Sequence, residues 1–289
     1  MPTKKRIKNK VYLLLMCGAA ICFVACDKDN LSFAFSQSWN TLPFDDSGAT
    51  KFLNVAAVSM ESNQLPEVNR DKIAYFIDKI KSEQPNVRLI LFPEIALGYY
   101  YMPSNPLEYQ ESIAETVPGV TTNILSAKAV EHQIYISIGM AEKHGAEMYN
   151  AQVLIAPDGT IASVYHKQNL TSWDIESGFK AGDKVNVDII DNIKVTTIIC
   201  SDNNSVKIHK QIHESGAELV LLPEATPTNL SDNWKMPSFT YSWTLQSSRI
   251  GNEEEIFYRG LLYLIAPSGE YKVKKIGQEG YIYGEVKVW

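Results

Sequence analysis

The sequence predicts an α/β (α+β) protein built on mixed β-sheet, on three observations. From Leu53 onward short β-rich apolar runs alternate with amphipathic helical patterns; hairpin turns punctuate the alternation; and no repeat or low-complexity tract interrupts it. LNVAAVSM (53–60) reads as a buried strand. VNRDKIAYFIDKIKSEQ (68–84) spaces Val68, Ile73, Phe76, Ile77 and Ile80 at helical intervals and predicts an amphipathic helix. RLILF (88–92) is a second strand, followed by an aromatic, proline-rich loop. GVTTNILSAKAVEHQ (119–133) predicts a helix feeding the strand IYISIGMAE (134–142). YNAQVLIA (149–156) and IASVYHK (161–167) flank the turn PDGT and predict a hairpin. VNVDII (185–190) and IKVTTIIC (193–200) are further strands, and a helix is expected from about Asn203 to Ser215. AELVLLP (217–223) is a strand, a helix is expected near Asp232 to Gly251, and LLYLIAP and YIYGEVKV close the chain around a PSG turn.

The balance is that of a globular protein: 289 residues, 45% hydrophobic and 21% charged, enough for one substantial core. The first 25 residues differ. Lys4, Lys5, Arg6, Lys8 and Lys10 precede an uncharged apolar run from Val11 to Ala25, the composition of a secretory signal (1–25). The run is close to the roughly 17 to 25 residues that span a bilayer, so an uncleaved anchor is the alternative. Phe23-Val24-Ala25-Cys26 decides for cleavage because it resembles a bacterial lipobox, with Phe23 in place of the usual leucine. Cys26 then carries lipid, residues 26–52 form a tether that packs in part on the domain, and 53–289 form the domain. DKDN after Cys26 is an acidic run of the kind that accompanies outer-surface display in some bacterial lipoproteins.

Removing the signal lowers Lys plus Arg from 27 to 22 against 33 Asp plus Glu, a mature charge of about −11. That argues against a nucleic-acid partner. Of Cys17, Cys22, Cys26 and Cys200, two leave with the signal and one is lipidated, so Cys200 is the one free thiol. An odd thiol in an exported chain is either an inert core residue or a reactive one.

Its surroundings favour reactivity. Glu94 follows RLILFP, Lys167 ends IASVYH, and Cys200 ends IKVTTIIC before a helix, each where a buried strand meets a loop. A thiol opening a helix lies at its positive end, which predicts a lowered pKa and a thiolate. A carboxylate and a lysine supply the proton acceptor and positive group that amide hydrolysis needs. LVLLPE (219–224) repeats the apolar-Pro-Glu pattern, so the pattern alone does not single out Glu94.

Together FPEIALGYY, YHKQNL and IICSD resemble the Glu, Lys and Cys motifs of the carbon-nitrogen hydrolase (nitrilase-like) superfamily. The likeness runs from about Leu53 to the C-terminus and includes the VAAVSM strand, Asn69, YNAQVLIAPDGTI and the spacing from Cys200 to Gly216-Ala217. It implies a four-layer α-β-β-α sandwich, commonly paired into homodimers, hydrolysing a small or extended linear amide without metal or organic cofactor. It also implies Glu94 as general base, Lys167 at the oxyanion and Cys200 as nucleophile through an acyl thioester. Glu176 is the candidate second acid, with Asp174 as competitor. Ser201 and Asp202 are candidate backbone oxyanion donors, and Tyr99, with Tyr100, Tyr101 and Tyr109, is a candidate pocket residue whose alternative role is packing.

Ser201 replaces the usual aromatic after the cysteine. Two departures bear on substrate: NNSVKIH follows Cys200 where many relatives have Phe-Pro-Glu, and the interval from Arg249-Ile250-Gly251-Asn252 to LLYLIAP is short. YHKQNL is close to the lysine motif of pantetheinases and biotinidase, and a thioester acyltransferase would use the same residues. A noncatalytic binding lipoprotein is the alternative from another class, against which the retained Glu, Lys and Cys argue. His209 and His213 stand four apart, a metal-compatible spacing without a third ligand, and an exposed polar face is the simpler reading.

Overall fold

The computed structural model describes residues 45–227 and 240–289, together with the backbone of two short strands near the N-terminus. The chain divides into two units, Met1–Asn40 and Thr41–Trp289. In the first, β1 (Val11–Cys17) and β2 (Ala20–Cys26) pair antiparallel. The side chain of Cys26 and the tether at 27–44 lie outside the described residues. No helix among the described residues is long and apolar enough to cross a membrane.

In the second unit the first half of the chain runs β3 (Lys51–Ser59), α1 (Pro66–Glu83), β4 (Leu89–Leu91), α2 (Pro106–Ile113), α3 (Val120–His132), β5 (Tyr135–His144), β6 (Glu147–Ile155), β7 (Ile161–His166) and α4 (Ser172–Glu176). The second half runs β8 (Asp188–Ile190), β9 (Ile193–Thr197), a 3-10 turn (Cys200–Asn204), α5 (Val206–Ser215), β10 (Leu219–Glu224), β11 (Trp243–Ser248), β12 (Ile250–Glu253), β13 (Ile256–Arg259), β14 (Leu261–Ile265), β15 (Tyr271–Ile276) and β16 (Gly280–Val288).

One six-stranded sheet has the order β16-β3-β4-β5-β6-β7 and the other β15-β14-β11-β10-β9-β8, each mixing parallel and antiparallel neighbours. Strand alternation assigns the layers. On β3, Ala56 and Val58 pack with Ile73, Ile77 and Ile80 of α1 and Leu125 and Ala129 of α3, whereas Leu53, Val55 and Ala57 turn to the other sheet and meet Leu219, Leu221, Leu245 and Leu262. On β10, Val220 and Leu222 turn outward onto Ile208 and Ile212 of α5. The result is the α-β-β-α sandwich that the resemblance implied, as in the solved structures discussed below.

Several expectations are corrected. Val68 faces solvent at 41% exposure, and the buried face of α1 begins with Asn69. Residues 232–239 of the helix expected over 232–251 lie outside the described residues, but Trp243–Ser248 is strand, not helix. All six of its residues are buried between β10 and β14, so no wet face marks its period. Its polar side chains find partners inside: Ser247 Oγ donates to the Val58 carbonyl at 2.6 Å. Tyr271–Ile276 adds a strand between the two expected at the C-terminus. The chain ahead of β3 lies against the final strand, where the Thr50 N–H donates to the Val288 carbonyl at 2.8 Å and Asp46 pairs with Lys287 at 2.9 Å.

Candidate active site

The strand ends β4, β7 and β9 bring Glu94, Lys167 and Cys200 to one end of the sandwich. Lys167 is wholly buried, and its Nζ lies 2.7 Å from Glu94 Oε1, 2.7 Å from Asp174 Oδ2 and 3.3 Å from the Tyr100 hydroxyl. Asn150, the asparagine of YNAQ on β6, donates its Nδ2 to Glu94 Oε1 at 2.8 Å and to Asp174 Oδ1 at 3.0 Å. Asp174 is locked further by Thr171, whose N–H and hydroxyl both reach Oδ2 at 2.8 Å. It is therefore Asp174, not Glu176, that joins the lysine. Glu176 is exposed on the far side of the short helix α4 and accepts from the Tyr101 hydroxyl.

One lysine between two carboxylates sets the electrostatics. Burial disfavours the charge on Lys167, yet Glu94, Tyr100 and Asp174 together raise its pKa well above the ordinary lysine value. Burial also opposes ionisation of Asp174, but Lys167 and the bonds from Thr171 and Asn150 bring it below the ordinary aspartate range. For Glu94 burial wins over Lys167, and its carboxyl is raised. Its second oxygen, Oε2, is buried with no hydrogen-bond partner among the described residues.

The loop holding Glu94 is under backbone tension. Ile95 has φ of 45°, an unfavourable value for a β-branched residue. Gly139 of β5 lets the loop lie flat on the sheet, since a Cβ there would stand 2.3 Å from the Pro93 carbonyl and 2.7 Å from the Ile95 nitrogen. Arg249, fully buried, clamps the loop from the other side. Its guanidinium donates to the carbonyls of Glu94 (2.9 Å), Ile95 and Gly98, while Nε donates to Glu253 at 2.6 Å. Asn69 fastens the start of α1 to the same loop by donating to the Leu97 carbonyl at 2.8 Å.

Cys200 also has φ of 45° and begins the 3-10 turn rather than closing β9. Burial pushes the thiol well above the ordinary cysteine value; Glu94 adds to this, and Lys167 opposes it. The thiolate expected from a helix terminus is thus reversed: a one-turn 3-10 element offers little dipole, and desolvation dominates. Asp202 shapes the turn, its carboxylate accepting from Tyr165 (2.7 Å) and from the N–H groups of Ile199 (2.9 Å), Gln168 (3.1 Å) and Asn169 (2.6 Å). Its own N–H donates to the Ile199 carbonyl at 2.9 Å, so it is committed within the turn rather than offered to an oxyanion.

A cavity of about 310 Å³ opens on Cys200 and is walled by Tyr100, Trp173, Ser201, Asn204, Glu224 and Thr226, among others. Tyr100 takes the lining place expected of Tyr99, which stands off the cavity wall and donates its N–H to the Tyr109 hydroxyl at 2.8 Å. Glu224, part of the second apolar-Pro-Glu run, is buried on this wall. A carboxylate ending a wholly apolar strand was the signal for it. His209 is half-buried and bonds the Asn203 carbonyl at 2.7 Å, and His213 is exposed beside Tyr241.

This fold, with these three motif residues at one end, defines a carbon-nitrogen hydrolase. Residues 54–258 match the carbon-nitrogen hydrolase family, well over half of the chain, and the chain belongs to that family. A probable nitrilase of Schizosaccharomyces pombe is 24% identical over 237 residues, covering 78% of this chain and 85% of the relative. A formamidase of Bacillus cereus is 27% identical over 195 residues, covering 64% of this chain and 57% of the relative's length. Nit3 of Saccharomyces cerevisiae, a member of branch 10 of the nitrilase superfamily, shares the fold with a TM-score of 0.73 at 19% identity, over 83% of this chain and 91% of Nit3.

Proposed function

We propose that the chain is an exported, lipid-anchored amidase that hydrolyses the carbon–nitrogen bond of a small linear amide through an acyl thioester on Cys200. The observation that carries the reading is the unpartnered, buried Oε2 of Glu94, a raised carboxyl within electrostatic reach of a protonated thiol. Glu94 takes the thiol proton as sulfur adds to the scissile carbonyl. Lys167 Nζ and the Ser201 backbone N–H stabilise the oxyanion. Collapse breaks the carbon–nitrogen bond, and the amine leaves with the proton held by Glu94. Water, giving its proton to Glu94, then attacks the thioester and releases the acid and the free thiol. Asp174 keeps Lys167 charged and oriented. A cavity of about 310 Å³ suits a small substrate.

Cys200→Ala should abolish ammonia or amine release from a panel of amides, and mass spectrometry of the wild type should trap an acyl adduct on Cys200. Hydroxylamine should divert that acyl group to a hydroxamate, and comparison of water with other acceptors separates hydrolase from transferase. Turnover that survives in the alanine variant would exclude the mechanism. Because burial raises the Cys200 pKa, iodoacetamide labelling of a chain beginning at residue 27, in which Cys200 is the one cysteine, should accelerate steadily as pH rises from 6 to 9. A rate that is flat from pH 6 to 9 would instead mark a preformed thiolate.

The export and lipid assignments rest on the basic and apolar leader and on Phe23-Val24-Ala25-Cys26. Expressed in a bacterium and fed a labelled fatty acid, the wild type should carry label and partition with membranes. Cys26→Ser should lose both, and an unlabelled wild type would rule out the anchor.

A further inference from the structure

Glu224 is a buried carboxyl on the wall of the cavity that Cys200 shares, and the reaction above does not use it. Two donors converge on one of its oxygens: the Thr226 hydroxyl reaches Oε2 at 2.9 Å and Gln246 Nε2 reaches it at 2.8 Å. Nothing among the described residues engages Oε1. The titratable groups facing Glu224 are Glu94, Lys167 and Cys200, from three other elements. The one cation among them, Lys167, is already shared by Glu94, Asp174 and the Tyr100 hydroxyl.

An oxygen that accepts two hydrogen bonds has the pattern of a carboxylic acid's carbonyl, which leaves the proton for the other oxygen. A third negative charge beside Glu94 and Asp174 without a cation of its own would be costly.

Resting on the amidase reading, we propose that Glu224 is a specificity-determining residue which, as a neutral carboxylic acid, donates a hydrogen bond from Oε1 to a second, uncharged acceptor on the substrate. The acceptor is a hydroxyl or amide carbonyl beyond the scissile bond. Burial, aided by Glu94 and opposed by the Thr226 bond, pushes Glu224 up to about 8, so the donor form prevails at neutral pH and is lost above it. The amide substrate is thereby sorted by its far end: an acceptor is welcomed and a plain alkyl chain leaves the acid unpaired.

The test compares malonamide, butyramide and 3-aminopropanamide with wild type, Glu224→Gln and Glu224→Leu from pH 6 to 9.5. Wild type should favour malonamide over butyramide by about tenfold in kcat/KM, mainly through KM, the worth of about one hydrogen bond. That preference should fade through about pH 8 in wild type, persist in the glutamine variant, which keeps a donor, and collapse in the leucine variant. Infrared difference spectra of wild type against Glu224→Gln should show a protonated carboxyl band that disappears over the same pH range, independent of turnover. A preference for 3-aminopropanamide that glutamine removes would make Glu224 an anionic subsite and overturn the proposal. So would equal ratios in all three proteins, or absence of the band while amides are hydrolysed. No turnover of any amide, with the band present, would instead remove the amidase reading and this subsite with it.

Discussion

Lys167→Met is expected to cost about 3–5 kcal/mol of stability and at least about a hundredfold in kcat/KM. Methionine keeps much of the stem volume, so the loss is electrostatic rather than a cavity. Removing one partner of a buried ion pair strands the other, and here it strands two carboxylates, Glu94 and Asp174, each 2.7 Å from the missing nitrogen. Loss of an oxyanion donor carries a kinetic cost of about 10²–10³. The sign of the pH dependence follows from the shifts. The depressed pKa of Asp174 contributes stability that is present above its unfolded value and lost as pH falls through the folded one. The raised pKa of Lys167 contributes stability that is full below its unfolded value and lost as pH rises through the folded one. The deficit of the methionine variant is therefore full across neutral pH and narrows only below about pH 4, the unfolded aspartate value. Thermal unfolding at pH 3 and 7.5 reads it directly, and an equal deficit at both would contradict the pairing. As comparators, Asp174→Asn should cost about tenfold or more in kcat/KM, whereas exposed Glu176→Gln should stay within about twofold. The opposite ranking would return the second acidic role to Glu176.

Arg249→Met is expected to be nearly as damaging, although Arg249 is absent from the cavity wall. Its guanidinium satisfies three carbonyls of the Glu94 loop and neutralises Glu253, itself buried and accepting the Tyr100 N–H at 2.8 Å. Without it the left-handed Ile95 loses its restraint, and Glu253 is left as an uncompensated buried charge, again worth about 3–5 kcal/mol. Glu94 and Tyr100 move off position together, so kcat should fall by about tenfold or more even where the variant folds. Arg249→Lys should rescue little, because a point charge cannot reach the carbonyls and Glu253 in one planar fork. Full rescue by lysine would reduce the role to charge alone.

Arg249 also marks where reading along the chain stops. Along the chain it stands only at the start of a short interval, inside an expected helix, and its partners lie some 155 residues earlier, at Glu94. Strand Trp243–Ser248 was misread for a related reason: WTLQSS carries a period only when one face meets water, and here neither does. Glu224 has no distinguishing mark along the chain, because an apolar-Pro-Glu run has the same local form whether its carboxyl ends in solvent or on a cavity wall.

The sequence by itself determined the layered alternation of strand and helix and the three motif residues, because each depends on local pattern. Only the tertiary structure decided the rest. It placed Asp174 beside Lys167, raised the pKa of the thiol where a helix terminus would have lowered it, and brought Glu224 onto the cavity that opens on Cys200. These depend on desolvation and on distances between segments remote in the chain, which no local spacing encodes.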